Sequence, residues 1–323
     1  MKMYNYCGHT LASSLPLELN SAYHRPPDYK FWLGTGGTLN LNRFEWFHHY
    51  GDADGRAWLR LGRHGAIYIL RFCELADFLI FMGRREIVGF PQPGTPLETI
   101  RHLLLDQVLP MIFSQQDQTV LHASAVLVAN GAIAFLGDSG WGKSTLSAGF
   151  CRQGHPMLTD DCLLVEPNKD AFYAVPSYPG FRLWPDSLAV MAGVEADTGP
   201  VAHYTDKKRL SLASPWLTYH AETAPLQAIF VLAAPDDAAR HETITVTSLP
   251  ARAALVALLN YSFRLDISDR GRAQREFERL SELAGALPFY RLAVPRDLML
   301  LPEVVSVILD HLQSDNRRSA TDT

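Results

Sequence analysis

Cysteine is scarce in this chain. There are four in 323 residues, Cys7, Cys73, Cys151 and Cys162, and no two of them form a CxxC pair. A disulfide framework and a zinc knuckle are therefore not expected, and a reducing compartment is. Long apolar runs are missing too. No stretch reaches the roughly 18 apolar residues of a membrane span, and the opening MKMYNYCGHTLASS has no apolar core of signal-peptide length. These absences lead us to expect a cytoplasmic protein with no membrane partner. Neither sign of charge is in large excess. The formal net charge of -5 leaves no electrostatic footprint for nucleic acid, which is not an expected partner. The pair His48-His49 lacks HExxH spacing and is read as packing or surface histidine, not as a metal site. There is no internal repeat and no low-complexity tract.

With 47% hydrophobic and 20% charged residues, what remains is an ordinary globular composition. Residues 1–94 read as a smaller β-rich domain, with AIYILRF, DFLIFM and IVGF as short apolar strands. FPQPGTP has the chemistry of a linker. After it, Thr95 as N-cap, Pro96 in the first turn and Leu97, Ile100, Leu104 and Val108 at helical spacing predict a helix over 96–109. That places a domain boundary before residue 95, a second domain over 95–313 and a flexible polar tail over 314–323. Within the second domain VLHASAVLV, Asn130-Gly131 and AIAFL predict a hairpin. A helix closed by Gly154 follows, then a strand over 156–166, a turn at PNKD and a strand at AFYAVPSY. QAIFVLAA and ITVTSL read as later strands, and 250–263, 271–286 and 302–313 as helices.

The stretch GDSGWGKS, 137–144, satisfies GxxxxGK[ST] between an apolar strand and a helix. Gly137, Asp138, Ser139, Gly140, Trp141, Gly142, Lys143, Ser144 and Thr145 are the candidate nucleotide-binding residues. The glycines let backbone N–H groups turn towards phosphates at the positive end of a helix. Lys143 is expected on the terminal phosphates and Ser144 on Mg²⁺. Asp160-Asp161 follow in a predicted strand. Consecutive strand residues face opposite sides, so only one carboxylate can face a phosphate unless the strand breaks there. One could bind the metal and the other take a proton from an attacking hydroxyl, or the pair could be a solvated strand end. His122, between Leu121 and Ala123, reads as a packed core histidine or a site residue. Pro-Gly in YPGFRLWPD presents Arg182 on a loop, where it could neutralise a phosphoryl group or form a structural ion pair. Lys207-Lys208-Arg209 could touch phosphate or peptide, or form a solvated basic loop. PNKD puts its aspartate one place early for guanine recognition, so a GTPase is not expected.

Together, the hairpin, His122 placed 21 residues before Lys143, GDSGxGKS, Gly154-His155 and the Asp-Asp pair 17 residues after Lys143 resemble the catalytic domain of bacterial HPr kinase/phosphorylase. Thr145 stands where that family has an acidic residue. YNYCGHTLASSLPLEL, AIYILRFCELADFLI and SYPGFRLWPDS are similar to the HPr-kinase-like proteins encoded with ribosomally made peptides, among them lasso-peptide tailoring kinases. The resemblance implies an α/β fold related to phosphoenolpyruvate carboxykinase, with its P-loop on a mixed sheet. It implies ATP and Mg²⁺ as cofactors and transfer to a serine near the C-terminus of a precursor peptide. By position, His122, Lys143, Arg182 and Asp160 would be catalytic, with Asp160 the base, and Ser144 and Asp161 would hold the metal. A homo-oligomer would follow from the resemblance alone. The alternatives are a nucleotide-binding regulator or adaptor without transfer activity, and a kinase acting on another protein or a small molecule.

Overall fold

The computed structural model describes residues 1–323 except 23–24, 35–38, 53, 130, 170, 193–197, 213, 236–242 and 322–323. The chain divides into two compact units. The first is Met1–Val120 with Pro200–Asp206 and Phe263–Glu276; the second is Leu121–Gly199, Lys207–Ser262 and Phe277–Thr323. No helix among the described residues is long and apolar enough to cross a membrane.

The first unit is built on an eight-stranded sheet. Its order is Lys2–Tyr6, His9–Ser13, Tyr29–Leu33, Glu86–Pro91, Ala76–Phe81, Ile67–Phe72, Ala57–His64 and Glu45–Gly51. Most neighbours are antiparallel, but Tyr29–Leu33 runs parallel to both of its neighbours. Alternation fixes which side faces inward: Leu59 and Leu61 are buried while Trp58 and Arg60, between and before them, are not. The boundary expected before residue 95 is corrected to Val120. FPQPGTP is a bend within the unit, where Gln92 N–H and the Thr95 hydroxyl both donate to the Leu75 carbonyl. Thr95 is thereby taken up, and Pro96 occupies the cap position.

The helix that follows is longer than expected. It runs Leu97–Leu103, widens to a π turn over Leu104–Val108, and continues as Leu109–Gln115. Pro110 has no N–H to give the preceding turn, and the widened turn stands just before it. Its apolar face belongs to the first unit. Phe113 packs on the rings of Tyr6, His9 and Tyr29, and the Tyr6 hydroxyl donates to the Leu105 carbonyl.

The second unit is a mixed sheet with helices on both faces. Met157–Thr159, Ala123–Val128, Gly131–Leu136, Ala224–Leu232 and Ala171–Val175 neighbour one another in that order. Ala123–Val128 and Gly131–Leu136 form the expected antiparallel hairpin, although Asn130 itself lies outside the described residues. Gly131–Leu136 then runs parallel to Ala224–Leu232. Every residue of Gly131–Leu136 is buried because both faces are covered. Ile133 and Phe135 pack with Phe150, Val305 and Ile308; Ala132, Ala134 and Leu136 pack with Leu258, Leu280 and Leu283.

Two expectations are corrected here. The strand over 156–166 is two strands, Met157–Thr159 and Leu163–Asn168, and the break falls at the aspartates, where Asp161 has φ 63°. The expected flexible tail over 314–323 is, through Thr321, part of the helix Leu301–Thr321, and its last two residues lie outside the described residues. Its added turns are tied down by Asp315, which accepts from the Tyr290 hydroxyl and lies 3.7 Å from His311.

Candidate active site

The buried strand Gly131–Leu136 delivers the loop 137–142, which opens the helix Lys143–Arg152. Gly140 and Gly142 hold φ 85° and 100°, left-handed values that a side chain would strain. With these turns made, Lys143 folds back into the loop. Its ammonium donates to the Gly137 carbonyl at 2.7 Å and the Asp138 carbonyl at 3.2 Å, and the side chain is buried. The third contact of that ammonium is His122 Nε2, at 3.1 Å. An ammonium has only protons to give, so Nε2 accepts and Nδ1 carries the ring proton, which it donates to the Asp161 carbonyl at 3.1 Å. Burial, then the Lys143 charge, lowers the His122 pKa in keeping with this neutral ring. Burial also lowers that of Lys143, against the pull of Asp161 and Asp160.

The strand break sends the two carboxylates to different partners. Asp160 is fully buried and both of its oxygens accept: Oδ1 from the Ser144 hydroxyl at 2.8 Å, Oδ2 from the Arg182 N–H at 3.0 Å. Burial and the neighbouring Asp161 charge push its carboxyl up to about 7. Asp161 instead lines a narrow cleft together with Ser139, Lys143, Ser144, Arg182 and Lys207. Burial alone would raise its pKa, but a protonated His122 and, with that ring neutral, the standing charges of Lys207, Arg182 and Lys143 hold it below the usual carboxylate range. Arg182 reaches Asp161 Oδ2 at 3.6 Å and lies over the Tyr178 ring at 4.4 Å. It sits not on a loop but in the strand Phe181–Leu183, paired with Lys208–Leu210. That pairing brings Lys207 beside Trp184, 5.7 Å from its ring.

The residues singled out by sequence thus come together, and three more side chains stand beside them. Lys207 was read only as one of a basic trio. Trp184 and Ser187 were quoted only within SYPGFRLWPDS, with no place in the site. Ser187 accepts the Thr145 hydroxyl at 3.0 Å across a gap of 42 residues, which no local pattern announces. A cavity of about 400 Å³ also adjoins the loop, walled by Trp141, Trp184, Asp186, Leu292 and Val294. It shares Gly140, Gly142, Thr145 and Trp184 with the cleft.

The donor set fits a hard divalent cation. Ser144 Oγ and Asp160 Oδ1 are oxygens 2.8 Å apart, close to the edge of an octahedron with bonds of about 2.1 Å. Among the described residues there is no cluster of three or more His, Cys, Asp or Glu able to hold a metal alone. A cation here would therefore need other ligands, as Mg²⁺ does when it takes phosphate and water.

No protein-family model matches the chain, and no curated protein matches it. Among solved structures it is similar to the Hpr(Ser) kinase/phosphatase from Coxiella burnetii, at 11% sequence identity and a TM-score of 0.34. The likeness covers 63% of this chain and 96% of that one. It is slight, and the site stands on its own geometry.

Proposed function

We propose that this protein is an ATP-dependent kinase that phosphorylates a serine hydroxyl of a peptide, with the C-terminal region of a ribosomally made precursor peptide as acceptor. The observation that carries the reading is the division of labour between the aspartates: one is engaged by Ser144, and the other faces a cleft ringed by three cations. A nucleotide-binding adaptor needs the glycine loop and Ser144, but gains nothing from a second carboxylate in the cleft. The acceptor class rests on the resemblance of SYPGFRLWPDS and its companion segments.

In this reading the 400 Å³ cavity takes the nucleoside, a volume within the usual range of ligand pockets, with Trp141 and Trp184 as its aromatic walls. The loop amides and Lys143 hold the phosphates. Ser144 and Asp160 would hold Mg²⁺, which when bound offsets charge on the phosphate oxygens. Asp161 lies on the cleft side, where it receives the proton of the acceptor hydroxyl. Its low pKa makes it a weak base, but phosphoryl transfer is loose and depends more on position than on base strength. Neutral His122 fixes the Asp161 backbone and the Lys143 ammonium at once.

The test is incubation of the protein with Mg-ATP and a serine-bearing precursor peptide, read by mass spectrometry. A gain of about 80 Da confined to serine is expected, as for a single added phosphate. Firm ATP binding with no peptide modified would leave the adaptor reading.

Lys207 supplies a second prediction. It lines the same cleft as Lys143, so its charge should count most when charge spreads over the transferring group. Lys207→Ala is expected to lower the transfer rate by about 10²-fold, as removal of one preorganised electrostatic donor does. ATP affinity should change little, and Lys207→Arg should restore part of the rate. An unchanged rate in Lys207→Ala would return this residue to the solvated basic loop.

A further inference from the structure

The first unit has an open groove of about 410 Å³ that the transfer chemistry does not use. Four cations line it, Arg25, Lys30, Arg84 and Arg85, on a chain whose formal net charge is -5. They are brought together by the fold and not by sequence proximity. Arg84 and Arg85 sit at the turn between Ala76–Phe81 and Glu86–Pro91; Lys30 lies on the strand parallel to the latter; Arg25 precedes Pro26-Pro27.

The groove is a shaped surface. Arg85 holds a left-handed φ of 53°, a conformation that costs a residue with a Cβ and that the surrounding turn must hold. The turn that imposes it is anchored, since the Arg85 carbonyl accepts the Lys30 N–H at 3.0 Å and its guanidinium lies 5.8 Å from the Tyr29 ring. Pro26 and Pro27 form a wall without N–H donors, pre-set in extended geometry. The single carboxylate among the described lining residues, Asp28, is turned onto the backbone, accepting the Thr10 N–H at 2.8 Å. Lys30 has an acidic neighbour, Glu86, but at 3.8 Å and with both side chains partly exposed the pair is loose. Arg25, Arg84 and Arg85 are exposed.

We propose that this groove binds an acidic, extended segment of a peptide. Exposed guanidinium forks take carboxylates in pairs, and several arranged along an open groove match a run of Asp or Glu side chains better than one compact anion. The proposal rests on the peptide-kinase reading for its choice of a peptide over another polyanion. It gives that reading a docking site in the unit that does not carry the glycine loop.

The experiment is fluorescence anisotropy of a labelled peptide rich in Asp and Glu, titrated with the full-length protein in the absence of nucleotide. A peptide of the same length with Gln and Asn at those positions is the control. The acidic peptide should bind at least ~10-fold more tightly than the control, and weaken several-fold as salt is raised past the point where the Debye length is about 8 Å. Arg84→Glu and Arg25→Glu should each lower its affinity by about 10-fold, as loss and reversal of a paired charge predicts. Both residues are exposed, so the fold should survive, and ATP binding should be unchanged in both variants. Equal binding of the two peptides would overturn the proposal, as would indifference to both substitutions. Inorganic phosphate competing as well as the acidic peptide would replace it with a simple anion site. Because binding is read without nucleotide, a failed groove and a failed kinase give different results.

Discussion

Replacing Lys143 by alanine is expected to abolish phosphoryl transfer while leaving the protein folded. Among the described residues the ammonium is the cation that folds into the glycine loop, and its contacts with the Gly137 and Asp138 carbonyls fix its position there. A cation placed to neutralise charge on a transferring phosphoryl group is worth on the order of 10³-fold in rate or more. Two effects would overlap in Lys143→Ala, because the stem is buried and its removal leaves a gap. Lys143→Met separates them, since it keeps an unbranched apolar stem and deletes only the charge. Both variants should lose transfer, with Lys143→Met melting closer to the parent. Trp141, within the loop and packed against the core, is expected to report nucleotide binding by its fluorescence in the same samples. Transfer within ten-fold of the parent in Lys143→Met would mean that the loop does not hold the phosphates as proposed.

Much of this site was legible in the sequence because its parts are local. A glycine loop between a buried strand and a helix needs only about twenty residues to declare itself, and Gly131–Leu136 and Lys143–Arg152 lie where the pattern puts them. The hairpin was legible for the same reason: two apolar runs and a two-residue turn are a short-range signal. What failed was long-range. The boundary before residue 95 followed composition, but FPQPGTP is held in a bend by Leu75, and the helix after it is claimed by Tyr6, His9 and Tyr29. No reading of residues 90–115 alone could find those rings. The excursions Pro200–Asp206 and Phe263–Glu276 into the first unit were invisible for the same reason. Arg182 was found as a candidate but placed on a loop, because its strand exists only by pairing with Lys208–Leu210.

The two aspartates are where the structure changes the expectation most, and they carry the second large effect. The resemblance implied Asp160 as base and Asp161 as metal ligand. In the reading proposed above these roles are exchanged, because Asp160 spends one oxygen on Ser144 and the other on the Arg182 N–H, whereas Asp161 lines the cleft. Under the exchanged roles Asp161→Asn should preserve Mg-ATP binding and lower transfer by about 10²-fold or more, the scale of a positioned general base. Asp160→Asn should weaken Mg-dependent nucleotide binding itself.

The pH dependence separates the pair further. Burial and the adjacent Asp161 charge raise the Asp160 carboxyl well above the usual carboxylate range, so protonation competes with a bound cation as pH falls from 8 to 6. A protonated carboxyl is a poor ligand, and the Mg²⁺ concentration needed for half-maximal nucleotide binding should rise over that interval. Asp161→Asn deletes the nearby negative charge and should move this rise to lower pH, an effect seen in binding and independent of transfer. If Asp160→Asn instead binds Mg-ATP normally and fails only in transfer, the original assignment returns and Asp161 is the metal-side group.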